Sequence, residues 1–206
     1  MTDFRTEQEA FWAGEFGSQY INRNPTDFEL AARLAMFARM IDRTTGVRSL
    51  IELGANIGNN LRVLDQLLSG AELAAVEINQ DAVDVLRRWG RTEVYHHSIL
   101  DFQTDRQYDL SLICGVLIHM NPQVLPQVYD LLYQLSKRYI FLAEYYNPTP
   151  VEIPYRGHSG KLFKRDFAGE MLDRFSDLRL LDYGFVYHRD NNFPLDDLTW
   201  FLLEKR

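Results

Sequence analysis

Cysteine is nearly absent: Cys114 is the only one among 206 residues. That excludes a disulfide framework and a thiolate zinc cluster, and its place in the run Leu112-Ile-Cys114 marks it as a small buried apolar residue. Basic charge is also in short supply, with 22 lysines and arginines against 29 acids and a formal net charge of −7. A chain of that sign lacks a general grip on nucleic acid, so any basic patch must be local. No apolar run approaches the ~18 residues of a membrane span, and the opening Met1-Thr-Asp-Phe-Arg-Thr-Glu is too charged for a secretory leader. The expectation is a cytoplasmic protein without membrane contact. Repeats and low-complexity segments are missing as well. What is present is an ordinary globular composition, 46 % hydrophobic and 25 % charged. Its length suits one domain with a small appendage.

Strand-like and helix-like segments alternate through the first two thirds, the pattern of a doubly wound α/β fold with a parallel sheet covered on both faces. Strands are expected at about 49–53, 72–77, 92–97, 108–114 and 139–145. Helices are expected between them at about 58–69, 80–89 and 122–136. A further helix is read over 26–43, where Thr26 and Glu29 form a capping box and Leu30, Leu34, Phe37 and Ile41 repeat at helical spacing, with Gly46 ending it. Phe167, Met171 and Phe175 mark one more. Two long strand-like runs, Leu178 to His188 and Leu195 to Leu203, then suggest an antiparallel hairpin at the sheet edge. Residues 1–45 are read as an N-terminal helical cap and 46–206 as the main domain.

The most informative segment is Glu52-Leu-Gly54-Ala-Asn56-Ile-Gly58, a strand that ends in a carboxylate and turns through spaced glycines into a helix. Such a loop lets a ligand approach the backbone closely. A dinucleotide fingerprint requires glycine where this chain has Asn56 and Asn59, and a carboxylate at the mouth repels a pyrophosphate. The same carboxylate attracts a ligand carrying an ammonium and a sulfonium, as S-adenosylmethionine does. Glu77 closes the next strand 19 residues after Gly58, close to the ~20-residue offset at which an acid takes a ribose diol. Ile78 beside it suits an adenine face. Glu52 is assigned the ammonium, Gly54 and Gly58 backbone clearance, and Asn56 further hydrogen bonds. Gly115 and Val116, at the end of the fourth strand, are placed beside the methionine part of the ligand.

Other residues carry two readings each. Trp12, Phe16 and Tyr20 recur every four residues and are either core or a helical cap over the cofactor. His119 is either a general base or a histidine that bonds loop backbone. His96 and His97 have no partners at ligand spacing, and no metal is read anywhere. The aperiodic stretch 146–163 is rich in Pro, Gly and Tyr. Residues 153–165 hold Arg156, Lys161, Lys164 and Arg165 without an acid. This window is either a solvated lid or, with Tyr145, Tyr146 and Tyr155, the pocket for an anionic substrate.

From about residue 30 onward these features resemble the class I S-adenosylmethionine-dependent methyltransferases. Glu52 to Gly58 looks like that class's first motif, Glu77 like its ribose-binding acid, and Ser98-Ile99-Leu-Asp101 like the turn that meets the adenine. Tyr108-Asp109 through Leu117-Ile-His119 looks like its fourth-strand motif. The resemblance implies a mostly parallel seven-stranded sheet closed by an antiparallel hairpin. Phe11-Trp-Ala-Gly-Glu-Phe-Gly17, Tyr20, Arg23-Asn24, Gly115 to Pro122 and Glu144-Tyr-Tyr-Asn-Pro148 further resemble the methylases associated with pseudaminic acid biosynthesis. That likeness implies methyl transfer to an oxygen or nitrogen of a small anionic metabolite, a nonulosonic-acid sugar or its nucleotide-activated form. Two alternatives belong to other classes: a nicotinamide-dependent dehydrogenase, and a protein that binds the cofactor without chemistry.

Overall fold

Strand β1, Ser49–Leu53, is buried at every residue, as an apolar run must be when both faces of a parallel sheet are covered. The computed structural model describes residues 4–21 and 29–206. Around β1 the sheet has seven strands in the order β3-β2-β1-β4-β5-β9-β8. Strands β2 (Glu72–Glu77), β3 (Glu93–His96), β4 (Tyr108–Cys114) and β5 (Ser136–Glu144) run parallel to β1. Strand β8 (Leu178–Val186) forms the edge, and β9 (Leu198–Lys205) returns between it and β5, antiparallel to both. The strand order reverses between β1 and β4, and in open α/β sheets that reversal opens a crevice at the carboxyl ends of the strands.

Helices cover both faces. On one, Met36, Phe37 and Met40 of α3 (Leu30–Asp42) and Leu61 and Leu64 of α4 (Asn59–Leu67) pack with Leu50, Leu112 and Phe141, joined by Leu86 of α5 (Gln80–Trp89). On the other, α6 (Leu125–Leu135) and α7 (Phe167–Arg174) bury Val128, Leu132 and Met171 against Ile51, Val76, Ile113 and Leu142. Helix α3, although numbered with the N-terminal segment, thus shares its core with β1. No helix among the described residues is long and apolar enough to cross a membrane.

Several boundaries differ from the sequence reading for local reasons. The expected capping box at Thr26 lies outside the described residues; Glu29 adopts a left-handed φ of 62° without a capping bond and turns its carboxylate to Arg33 at 3.0 Å. The helix stops at Asp42, four residues before Gly46. Asn121-Pro122 starts a short 3-10 turn, and α6 proper begins at Leu125. The N-terminal stripe is not one helix but two, α1 (Glu7–Ala13) and α2 (Glu15–Ile21), broken at Gly14. A capping box is present here: Glu9 N–H donates to Thr6 Oγ1, and Thr6 N–H donates to Glu9 Oε2 at 2.8 Å. The second helix folds tightly against the first, because a Cβ at Gly17 would lie 1.9 Å from the Trp12 carbonyl oxygen. Within the aperiodic stretch, β6 (Val151–Glu152) and β7 (Phe163–Lys164) form a small hairpin of their own.

Candidate active site

The turn after β1 is built on backbone conformations that side chains resist. Gly54 has φ 73°, Asn56 48° and Gly58 83°, all in the left-handed region. A Cβ on Gly54 would come within 2.6 Å of Val116, so glycine lets the turn press against the loop after β4. Gly58 serves a different contact: its missing Cβ makes room for Leu86 of α5, also at 2.6 Å.

Glu77 ties the crevice together. Its carboxylate accepts the N–H of Asn56 at 2.7 Å, of Asn79 at 2.8 Å and of Ile78 at 2.9 Å. Burial pushes its pKa up from the carboxylate range while these three donors pull it down. Glu144, at the end of β5, does the same for the loop after β4, accepting the N–H of Val116 and of Leu117 at 3.0 Å each. Burial pushes Glu144 to about 7 against those bonds.

A cavity of about 240 Å³ opens at these strand ends. Gly54, Asn56, Glu77, Ile78, Gly115 and Val116 form its floor with Ser98 and Ile99. Trp12 and Tyr20 from α1 and α2 close it, and His119, Tyr145 and Tyr155 complete the wall. The helices are held over it from several sides. Ser98 donates its hydroxyl to Glu9, Asn79 Nδ2 donates to the Trp12 carbonyl at 3.2 Å, and Gln8 Nε2 donates to the Gly160 carbonyl at 2.8 Å. Phe11 stacks on Phe16 at 4.0 Å and meets His158 at 5.2 Å, so the 153–162 loop and the N-terminal helices form one cover.

Not every residue singled out in the sequence reaches the cavity. Glu52 is buried behind it, with Asn60 Nδ2 donating to its Oε1 at 2.6 Å; burial pushes its carboxyl up to about 8. Gly58 and Tyr146 stand off the wall, as do Arg156, Lys161 and Lys164. Tyr146 packs toward Phe201 at 6.1 Å. Lys161 pairs with Glu7 at 3.4 Å, while Arg156 and Lys164 lie over the Tyr155 and Tyr145 rings at 5.6 and 5.1 Å.

The wall also holds residues that were not anticipated: Gln8, Glu9, Arg33, Asn59, Asn60 and Asp196. Only Glu9 left a legible signal, the Thr6-x-x-Glu9 capping pattern; the others are ordinary helix or loop residues whose direction depends on the packed fold. Arg33 donates to Asn60 at 2.6 Å, which links half-buried Glu29 and Arg33 to buried Asn60 and Glu52 in one hydrogen-bonded chain. His119 shares a 2.6 Å hydrogen bond with the Lys161 carbonyl through Nδ1, so that nitrogen carries the proton and Nε2 is an acceptor. Burial lowers its pKa to about 4. Among the described residues no group of histidine, cysteine and acid side chains is arranged to hold a metal.

No family model and no curated protein matches the sequence. Solved structures do match. A SAM-dependent methyltransferase of Leishmania major superposes with a TM-score of 0.71 over 98 % of this chain and 87 % of its own, at 15 % identity. The 1,6-didemethyltoxoflavin-N1-methyltransferase of Burkholderia thailandensis, with 1,6-didemethyltoxoflavin and S-adenosylhomocysteine bound, gives 0.69 over 96 % and 86 % at 13 % identity. Magnesium protoporphyrin IX methyltransferase from Synechocystis PCC 6803, with SAM bound, gives 0.67 over the whole of both chains at 12 % identity. The fold is the class I methyltransferase fold. At these identities the likeness is one of architecture.

Proposed function

We propose that the chain is an S-adenosylmethionine-dependent methyltransferase acting on a small molecule. The observation that carries this is the floor of the cavity, where a left-handed Gly54–Asn56 turn and the carboxylate of Glu77 meet at the ends of adjacent strands. The residues fit such a ligand. Oδ1 of Asn56 and of Asn59 are buried acceptors without a partner among the described residues, and a ligand ammonium satisfies acceptors of that kind. In this reading Glu77 takes the ribose diol, Ile78 and Ile99 flank the adenine, and Gly115 and Val116 border the methionine. Glu52, protonated near neutral pH, acts through Asn60 instead of holding the ammonium itself.

S-adenosylmethionine, when bound, supplies a methyl group activated by a sulfonium. The chain's part is positional. Trp12, Tyr20 and the 153–162 loop exclude water, and the glycine turn, Glu144 and His119 hold the wall in a fixed shape, so that proximity supplies several kcal/mol of barrier reduction. The anionic-sugar acceptor suggested by resemblance gains support from Tyr145 and Tyr155 alone, because Arg156, Lys161 and Lys164 stand off the wall. A dehydrogenase is disfavoured by Asn56 and Asn59, which occupy positions where a pyrophosphate needs glycine. Thermal shift with S-adenosylhomocysteine and with NAD tests the proposal. Stabilisation by the first alone supports it, and stabilisation by NAD alone overturns it. A non-catalytic binder is separated by release of methyl label in the presence of acceptor.

A further inference from the structure

Around His119 the cavity is walled by rings. Trp12 and Tyr155 each lie 4.8 Å from the imidazole, Tyr20 lies 5.3 Å from Trp12, and Tyr145 lines the same space. Two hydrogen-bond acceptors belong to that wall. Gln8 is 8 % exposed, and its donation to the Gly160 carbonyl fixes the amide so that Oε1 is left buried and without a partner among the described residues. His119, anchored on the next carbonyl, Lys161, keeps Nε2 as the second acceptor.

Bases suited to a hydroxyl nucleophile are scarce on this wall. A general base works best with a pKa near the operating pH, and burial takes His119 down to about 4. Glu9 is engaged by Thr6 and Ser98, and Glu77 by three backbone N–H groups. The charged lining residues are Glu9, Glu77 and Asp196 against Arg33, whose two terminal nitrogens donate to Asn60 and Glu29 while Nε is buried without a partner among the described residues; the other lining imidazole, His97, sits next to Ser98 on the floor.

Resting on the methyltransferase reading, we infer that the methyl acceptor is a neutral amine nitrogen on an apolar or aromatic body, with its N–H groups on Gln8 Oε1 and His119 Nε2. A primary amine has two donors for two acceptors and keeps a lone pair; an alcohol has one donor and needs a base. The nitrogen lone pair forms the bond to the methyl carbon as the carbon–sulfur bond breaks, and that bond's electron pair stays on sulfur. Nitrogen gains the positive charge and then releases a proton to solvent. The ring faces and Asp196 at the mouth stabilise that cation.

Calorimetry tests this with three probes of similar size, aniline (a primary amine that is neutral at pH 7), benzyl alcohol and benzoate, on the full chain saturated with S-adenosylhomocysteine. The amine is expected to bind roughly fivefold tighter than the other two, the scale of one further hydrogen bond between neutral groups. Gln8→Leu should lose roughly that factor for the amine alone. Gln8→Glu, which breaks the Gly160 bond but keeps an acceptor, should retain binding. A cooperative thermal unfolding transition in both variants, followed without ligand, reports that they fold. Equal or tighter binding of benzoate or benzyl alcohol overturns the inference, as does binding of none of the three. Failure of S-adenosylhomocysteine to bind the unaltered chain would instead bring down the methyltransferase reading, and this inference with it.

Discussion

The carboxylate of Glu77 accepts the backbone N–H of Asn56 at 2.7 Å, joining the end of β2 to the turn after β1. One side chain therefore both lines the cavity and holds the turn at its floor. Glu77→Ala should weaken S-adenosylhomocysteine binding by roughly 1–3 kcal/mol, the worth of hydrogen bonds to a charged group, and lower the melting temperature as well. Calorimetry together with thermal unfolding checks both effects; a variant with unaltered affinity removes Glu77 from the site.

Glu52 leads to a pH prediction. Its carboxyl is raised from the usual carboxylate value to about 8 in the folded chain. The native state therefore holds a proton that the unfolded chain releases above about 4.5, so this group's contribution is complete below that pH and is lost as pH rises toward 8. Glu52→Gln cannot ionise and should remove this loss. Between pH 5 and 8, urea unfolding should show the parent losing roughly 1–3 kcal/mol more stability than the variant. Parallel pH profiles would mean that Glu52 ionises freely when folded.

His119 should be a positioning group that does not titrate in the neutral range. His119→Ala is expected to lower the rate by roughly 10- to 100-fold through loss of the Lys161 anchor and the ring contacts. The pH–rate profile should have no inflection near 6.5 that depends on this residue. Such an inflection, present in the parent and absent in the variant, would establish it as a general base.

The cover over the cavity is tied down at Ser98, Asn79 and Gly160, none of which belongs to the N-terminal segment itself. Deleting residues 1–24 should leave a cooperatively folding protein whose S-adenosylhomocysteine affinity falls by roughly tenfold or more. If the truncated chain binds like the parent, the helices do not close the site.

Replacing Arg156, Lys161 and Lys164 with glutamine should leave S-adenosylhomocysteine binding within roughly threefold of the parent, since none of the three lines the cavity and charges held off a site contribute little to it. The acceptor's Michaelis constant should be equally insensitive. A tenfold rise in that constant would place the basic window in contact with the acceptor and favour an anionic substrate.

Periodicity and punctuation carried the sheet. Apolar runs of five to nine residues separated by capped helices place β1, β2 and β4 at their observed bounds, and the two terminal runs mark the antiparallel pair. Backbone chemistry was equally legible at the site: spaced glycines at Gly54 and Gly58 announce left-handed φ values, and the strand-end Glu77 announces a carboxylate at the crevice. What the sequence alone left undecided is direction. Glu52 and Glu77 look alike as strand-end acids, yet the packing of α3 and α4 buries the first behind Asn60 and leaves the second facing the cavity. Gly58 reads as ligand clearance, but its neighbour across the fold is Leu86. The lysines and arginine after β5 read as a substrate patch; the fold turns them to Glu7 and to the rings of Tyr155 and Tyr145, and brings Gln8, 152 residues before Gly160, onto the wall instead. Such contacts depend on long-range packing, and local spacing records which elements form without recording which side of each one meets the site.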